Sequence, residues 1–338
     1  MTQDSYYFIE KKDLQGFIDA LTLKMSVFAP VRKGRGFRFE KLKNKQKLDL
    51  NGYINTEFPP KSILMPEGEA LVRYKESMIC EVFDDVKKAV FAIRPCDVHA
   101  MLLLDKVMMG HGDIEEHYEA RRKNLIVIAM NCTEAGENCF CESMETDRLY
   151  GGFDLLFTEN GNGYHVEAGS EEGKKIIDDS AKLFRKSSGM PAKTKPGCTK
   201  KIDTAGLPEI MKKAANSSIW EDTAKRCLSC ASCTFVCPTC YCFSLKHEPD
   251  VTDLKNGEVK REMDYCMLLR FSKVAGDYVF RQHRTERVKQ FFYHKLVYGL
   301  ENEGKNHCVG CGRCITECMA GIDITEEAAK VRKKYAKV

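Results

Sequence analysis

The stretch Cys227-Leu-Ser-Cys230-Ala-Ser-Cys233-Thr-Phe-Val-Cys237-Pro238 decides the architecture of the carboxyl-terminal part of this chain, and its spacing recurs in Cys308-Val-Gly-Cys311-Gly-Arg-Cys314-Ile-Thr-Glu-Cys318. Both stretches follow C-x2-C-x2-C-x3-C, and the pair is the pattern of bacterial two-cluster ferredoxins. A 4Fe-4S cubane has four iron corners, so three cysteines separated by two residues let one loop reach three corners. The fourth cysteine of each stretch points toward the other cluster.

The predicted ligands therefore form two crossed sets. For cluster one they are Cys227, Cys230, Cys233 and Cys318. For cluster two they are Cys308, Cys311, Cys314 and Cys237. Gly310 and Gly312 let backbone amides approach the sulfurs, and such hydrogen bonds tune a cluster. A structural zinc site pairs two distant ligand couples around one ion, which does not match four cysteines in eleven residues, present twice.

Composition supports a redox or metal-binding role. The chain has 17 cysteines in 338 residues, and this richness in a reducing compartment favours metal binding over disulfides. The net charge of +4 is too small to indicate a nucleic-acid-binding protein. We identify no signal peptide and no apolar stretch of membrane-spanning length. The sequence therefore predicts a cytoplasmic protein without direct membrane insertion.

The amino-terminal part has the pattern of an α/β domain. Lys11–Met25 has helical apolar spacing. Ala89–Ile93 and Leu125–Met130 are short apolar runs typical of buried strands, and Asp97–Gly110 between them reads as a helix capped by Asp97, which predicts a βαβ unit. Asn-Gly-Asn-Gly at 160–163 predicts a β-hairpin. The fold class is thus an α/β amino-terminal domain plus an α-helical two-cluster ferredoxin-like carboxyl-terminal domain.

A polar, Gly- and Pro-containing stretch at 187–204 marks the predicted linker. We expect domains at 1–205 and 206–338, the second with a helical insertion at about 244–305. Within the insertion Val274–Tyr298 is helical in pattern and basic, and Arg32–Lys47 is basic as well. Each basic stretch fits either a solvated face or a docking surface for an acidic partner.

Four cysteines of the amino-terminal part follow predicted strands, where α/β sheets carry functional loops. They are Cys96, Cys132, Cys139 and Cys141. Two interpretations stay open: ligands of a third 4Fe-4S cluster, or reduced structural thiols. Of the other five, Cys240 and Cys242 are expected to pack near cluster two without binding it. The sequence assigns no role to Cys80, Cys198 and Cys266.

The chain resembles the family that contains the iron–sulfur β subunit of soluble sulfhydrogenase (hydrogenase/sulfur reductase) and the corresponding iron–sulfur subunit of anaerobic sulfite reductase. The resemblance covers nearly the whole chain. It rests on Ser26–Pro30, Arg94–Ala100, Cys139–Cys141, Gly152–Leu155, Cys237–Phe243 and Arg284–Lys295. Within these stretches, Arg-Pro-Cys-Asp and Cys-Pro-Thr-Cys-Tyr-Cys are far narrower signals than the ferredoxin motif.

The resemblance implies a non-catalytic electron-transfer subunit of an anaerobic oxidoreductase complex. Its partners would be a flavin- and NAD(P)H-binding subunit, together with a catalytic subunit of the hydrogenase, sulfite reductase or heterodisulfide reductase type. The sequence lacks the common dinucleotide-, phosphate- and zinc-binding catalytic motifs. The alternative is an enzyme subunit with its own flavin site or sulfite- or polysulfide-reducing site in the amino-terminal domain. In that alternative Cys96 would be a redox thiol of lowered pKa.

Overall fold

The computed structural model describes residues 6–187 and 195–336. The strands are β1 (Tyr6–Glu10), β2 (Ser26–Lys33), β3 (Gly36–Lys41), β4 (Glu69–Lys75), β5 (Met78–Glu81), β6 (Lys88–Ile93), β7 (Leu125–Met130), β8 (Leu155–Asn160), β9 (Gly163–Ala168), β10 (Arg185–Lys186), β11 (Phe243–Pro249) and β12 (Asn256–Met263). The helices are α1 (Leu14–Thr22), α2 (Pro95–Met109), α3 (Glu116–Lys123), α4 (Glu171–Asp179), α5 (Leu207–Lys213), α6 (Ser218–Arg226), α7 (Ser232–Phe235), α8 (Arg284–Tyr293), α9 (Gly299–Glu303), α10 (Arg313–Thr316) and α11 (Ile324–Tyr335). A π-helical turn, His294–Tyr298, joins α8 to α9.

The larger sheet has the order β10-β1-β9-β8-β7-β6-β2-β3. Its central strands β2, β6, β7 and β8 are parallel, and the outer pairs are antiparallel. β6, α2 and β7 form the predicted βαβ unit, and β8 and β9 form the predicted hairpin, with Asn160 paired to Gly163. These predictions are confirmed, as is the helix predicted at Lys11–Met25, which spans Leu14–Thr22.

The second sheet corrects the prediction for the insertion. Its order is β11-β12-β4-β5, so a hairpin from 243–263 pairs with strands from 69–81. The first part of the predicted helical insertion is therefore β-structure. Its strand β12 pairs with β4, which is distant in the sequence, so the local sequence does not reveal this pairing. These strands come from both sides of the predicted boundary at 205/206, which stays a prediction. Residues 188–194 of the predicted linker lie outside the described residues.

Two helix starts also differ from the predictions. The long basic helix begins at Arg284, not at Val274, because His283 and Glu286 form a capping box there. Helix α2 begins at Pro95, so Asp97 lies in its first turn and is not the cap. Proline suits the first helical position because it has no N–H to satisfy.

Apolar residues cover both faces of the larger sheet. Ile9, Phe17 and Phe157 belong to the core on one face, and Val98, Leu104 and Tyr118 belong to the core on the other. A third core around Trp220 and Phe292 holds the carboxyl-terminal helices together. Within residues 6–187 and 195–336, none of the helices has the length and apolar character needed to cross a bilayer.

The parallel strands β6 and β7 direct their following loops to the same edge of the sheet. Near the end of β6, Ala92 has a φ of 58° and the register with β7 shifts, which marks a bulge. The bulge precedes Arg94, whose guanidinium donates to the carbonyls of Ile54 and Asn131, each at 2.9 Å. Arg94 thereby ties three loops together at the edge where the second ferredoxin motif packs.

Candidate iron–sulfur centres

The first motif is a loop between two helices. Cys227 caps the end of α6, and α7 begins one residue before Cys233. The thiols of the first predicted set line one cavity, which Cys314 reaches from the other motif. The set is Cys227, Cys230, Cys233 and Cys318. The structure thus brings Cys318 to the first loop, as the crossed assignment requires.

Backbone amides point at sulfurs of this first set. The N–H of Ser229 donates to Cys227 Sγ at 3.3 Å, and the N–H of Ile322 donates to Cys318 Sγ at 3.2 Å. Hydrogen bonds of this kind favour the thiolate, which is the form that binds iron. The donor set therefore fits a thiolate-bound cluster.

The second set differs from the first in that all four of its cysteines are partly buried, whereas Cys230 of the first set is exposed. Each of its thiols interacts electrostatically with the other three; the members are Cys237, Cys308, Cys311 and Cys314. Burial raises the pKa of Cys308 to about 12 and raises the pKa of Cys314 well above its usual range. A thiol must lose its proton to bind metal, so the binding of a cluster to this set releases protons. The bound iron then offsets the unfavourable burial of the thiolate charges.

Two buried lysines flank the second set. The Nζ of Lys295 donates to Thr239 Oγ1 at 2.9 Å, and the Nζ of Lys61 donates to the Cys240 carbonyl at 3.0 Å. Burial lowers the pKa of Lys295, but Cys237 and Cys240 more than offset this and raise it well above its usual range. Lys295 is 2% exposed. A positive charge is therefore held beside Cys237.

These lysines were missed by the sequence analysis. Lys295 lies in the predicted basic helix, which was interpreted as a solvated face or a docking surface. For two residues of that helix both interpretations are wrong. Arg287 and Lys295 are buried, and Arg287 donates to the Met267 carbonyl at 3.1 Å. The apolar spacing of Val288, Phe291 and Leu296 places the same helix side inward. That spacing was the available signal.

The cysteines that follow the first motif take part in two close pairs, Cys237 with Cys240 and Cys242 with Cys266. A hydrogen bond from Cys240 lowers the pKa of Cys237 well below its usual range, with help from Lys295 and against the effect of burial. A hydrogen bond from Cys266 lowers the pKa of Cys242 to about 7. Cys240 thus lies beside Cys237 of the second set, where the sequence analysis expected it, whereas Cys242 pairs with Cys266.

The second motif contacts the amino-terminal part of the chain through Arg313. The Arg313 guanidinium forms a fully buried ion pair with Asp97 at 2.6 Å and donates to the Thr56 carbonyl at 2.8 Å. A Cβ on Gly310 would lie 2.6 Å from the Cys141 nitrogen. The close approach explains why this loop carries glycine. The ion pair gives Asp97 a role in the contact between the amino-terminal part of the chain and the second motif.

The amino-terminal thiols lie around this contact. Cys96 and Cys141 belong to one buried cluster together with Cys198, and Cys139 packs against it. Burial, then the charge of Asp97, raises the pKa of Cys96 well above its usual range. This is opposite to the lowered pKa that a reactive thiol needs, so the structure gives no support to Cys96 as a redox thiol. Cys198, to which the sequence analysis assigned no role, packs among the predicted thiols here.

Comparison with known proteins agrees with these sites. Residues 226–322 match the model of a 4Fe-4S dicluster domain. The chain is 31% identical over 317 residues to sulfhydrogenase 2 subunit beta of Pyrococcus furiosus. The aligned region covers 91% of this chain and 92% of the relative. No solved structure matches. The chain therefore belongs to the family of sulfhydrogenase β subunits and is a protein with two 4Fe-4S clusters.

Proposed function

We propose that this protein is an electron-transfer subunit. It relays electrons between a flavin- and NAD(P)H-binding partner subunit on one side and a catalytic reductase or hydrogenase subunit on the other. The observation that carries the proposal is that the two sets of thiols adjoin. Cys233 of the first set interacts electrostatically with Cys237 of the second, and so does Cys314 with Cys233. Neighbouring clusters are what a relay needs.

The ligand assignment belongs to the proposal. The first motif with Cys318 would hold one cluster and the second motif with Cys237 the other, in the ferredoxin-like crossed arrangement. When bound, each cluster supplies reversible one-electron transfer. The chain's own residues add apolar side chains such as Met267 and Phe291 to the lining of the first-set cavity.

The two sets differ in their exposure to solvent, and this difference supports a location for partner docking. Cys230 of the first set is exposed, and the neighbouring apolar side chains Leu228 and Met319 are 59% and 85% exposed. Exposed apolar residues around a redox centre suit the small contacts of electron-transfer partners. We place electron exchange with one partner at this face.

A partner is also supported by the comparison. The Pyrococcus furiosus relative is named as a subunit of a sulfhydrogenase, and the identity extends along nearly the whole of both chains. By analogy this chain would work within a complex, with the terminal reaction on another subunit.

The test uses the chain purified without oxygen. We expect at least about eight iron and eight sulfide per chain, and interacting 4Fe-4S signals by EPR after dithionite reduction. Reduced methyl viologen should reduce the clusters stoichiometrically, and added sulfite or polysulfide should not be turned over. Cys311→Ser should lose about four iron, while Cys80→Ser, on exposed β5, should lose none.

Two results would contradict the proposal. Zinc in place of iron in the purified chain would contradict electron transfer, because zinc has no redox chemistry. Sustained reduction of sulfite or polysulfide by the isolated chain would show an enzyme with its own substrate site.

A further inference from the structure

Four cysteines outside both ferredoxin motifs meet at the edge of the larger sheet. Cys132 follows β7, Cys139 and Cys141 lie in the same loop, and Cys198 comes from the described segment after residue 194. The sulfurs of Cys141 and Cys198 are 3.6 Å apart, and both side chains are buried. Neither motif uses any of the four.

The four thiols are mutual neighbours. Cys141 interacts electrostatically with Cys132, Cys139 and Cys198, and Cys139 interacts with Cys132 and Cys198. Cys132 interacts with Cys198 as well, so every pair among the four is close enough to interact electrostatically. Cys96, the fourth residue of the sequence prediction, instead faces Asp97, Cys311 and Arg313 besides Cys141.

Backbone hydrogen bonds hold the contributing loops in register. The N–H of Ala135 donates to the Pro196 carbonyl at 2.8 Å, and the N–H of Gly197 donates to Glu142 Oε1 at 2.9 Å. The loop that carries Cys132, Cys139 and Cys141 is thus tied directly to the segment that carries Cys198. These hydrogen bonds between the two segments bring the thiols together.

We propose that Cys132, Cys139, Cys141 and Cys198 are the ligands of a third 4Fe-4S cluster. Four thiolates in a water-poor, partly apolar setting form the usual ligand set of such a cluster. Ala100, Leu103 and Val309 provide the apolar side of the site.

A single zinc ion is the competing occupant of four thiols. It would need all four sulfurs within about 2.3 Å of one point. In the part of the chain that the structure describes, no three Cys, His, Asp or Glu side chains are grouped closely enough to hold one metal ion. A cubane spreads its ligands over four irons, so it accepts the wider arrangement.

The third site lies directly against the second ferredoxin motif. The N–H of Phe140 donates to the Gly310 carbonyl at 2.8 Å, Thr146 Oγ1 donates to the Val309 carbonyl at 2.6 Å, and Cys139 Sγ lies 3.7 Å from the Cys311 carbonyl oxygen. Cys139 also lines an open pocket with Glu57 and Glu137. The relay would therefore run from the face at Cys230, through cluster two, to a second surface on the amino-terminal domain.

The experiment is an iron, sulfide and zinc count with Mössbauer spectroscopy on the chain purified without oxygen. We expect about twelve iron for the natural chain and about eight for Cys198→Ala, whose remaining EPR signals should be those of the two motif clusters. Cys96→Ala is the matched buried control and should keep about twelve. Cys132→Ala is the second test variant, and it should lose the same four iron.

Several results would overturn the proposal. A natural chain with about eight iron, or with one zinc added to eight iron, would remove the third cluster and leave the two-cluster relay standing. Loss of iron in Cys96→Ala but not in Cys198→Ala would refute the ligand assignment. Should the variants fail to fold, the count on the natural chain decides.

Discussion

The two ferredoxin motifs share a spacing and a backbone path but differ in their surroundings. In the second motif Gly310 and Gly312 have φ values of 64° and 75°, and in the first motif the matching Ser229 and Ala231 have 53° and 65°. A left-handed φ costs a non-glycine residue about 1–2 kcal/mol. The first motif tolerates that cost. The second cannot carry a Cβ at these positions, because the loop that contains Cys141 packs against it.

The difference separates two kinds of requirement. The spacing of the cysteines decides which thiols can reach a cluster, and both motifs have the required spacing. Packing decides how exposed and how charged each cluster is. Cys230 of the first set is exposed, whereas the second set lies between the Asp97–Arg313 ion pair and Lys295. Four experiments would break or sharpen this comparison, beginning with the largest expected effect.

Removing the charge of Arg313 should have the largest effect. Arg313→Met leaves Asp97 buried without a partner, and breaking a buried ion pair on one side costs about 3–5 kcal/mol. The measurement is the denaturant midpoint of the cluster-loaded chain under anaerobic conditions. Lys225→Met, which removes an exposed pair with Asp222, is the control and should change stability by less than about 1 kcal/mol. Equal effects for the two variants would refute the role of the buried pair.

A methyl group on Gly312 should be nearly as disruptive. Its Cβ would lie 2.5 Å from the carbonyl carbon of Asn138, and the residue must keep a left-handed φ. We expect Gly312→Ala to cost about 2–4 kcal/mol and to reduce the iron content of the second set. The matched change in the first motif, Ala231→Gly, should be close to neutral, since relief of φ strain is offset by unfolded-state entropy. If Gly312→Ala were equally harmless, the packing argument would fail.

Removing the charge of Lys295 should shift a potential without removing a cluster. A unit charge about 8–16 Å from a cluster contributes roughly 1–2 kcal/mol at an effective dielectric constant of about 20. Since 1.4 kcal/mol corresponds to about 59 mV for one electron, Lys295→Met should lower the potential of cluster two by about 40–85 mV. An EPR-monitored redox titration measures this, with exposed Lys212→Met as the control. An unchanged potential would show that the lysine is only structural.

The smallest expected effect is kinetic. Because Cys230 is exposed and the four thiols of the second set are all partly buried, an iron chelator should remove cluster one several-fold faster than cluster two. Freeze-quenched EPR of samples taken during chelation follows the two signals separately. Faster loss of cluster two would reverse the assignment of the exposed and protected centres.

Much of the amino-terminal fold was predictable because its signals are local. Apolar runs at 89–93 and 125–130 are buried strands, and the Asn-Gly turn closes a hairpin. The hairpin at 243–263 was not predictable, because its strands pair with β4, which lies far away along the chain. Lys295 was likewise misplaced, since a buried lysine is recognisable only once the thiols around it are known.

The sequence by itself determined the two sets of four motif cysteines and the α/β character of the amino-terminal part, because short-range spacing and periodicity control both. Only the tertiary structure decided that Cys198 joins Cys132, Cys139 and Cys141 and that Cys96 turns toward Cys311. It also decided that Arg313 meets Asp97 across 216 positions of the chain. Contacts of this kind arise when distant loops pack against each other, and no local pattern records which loops those are.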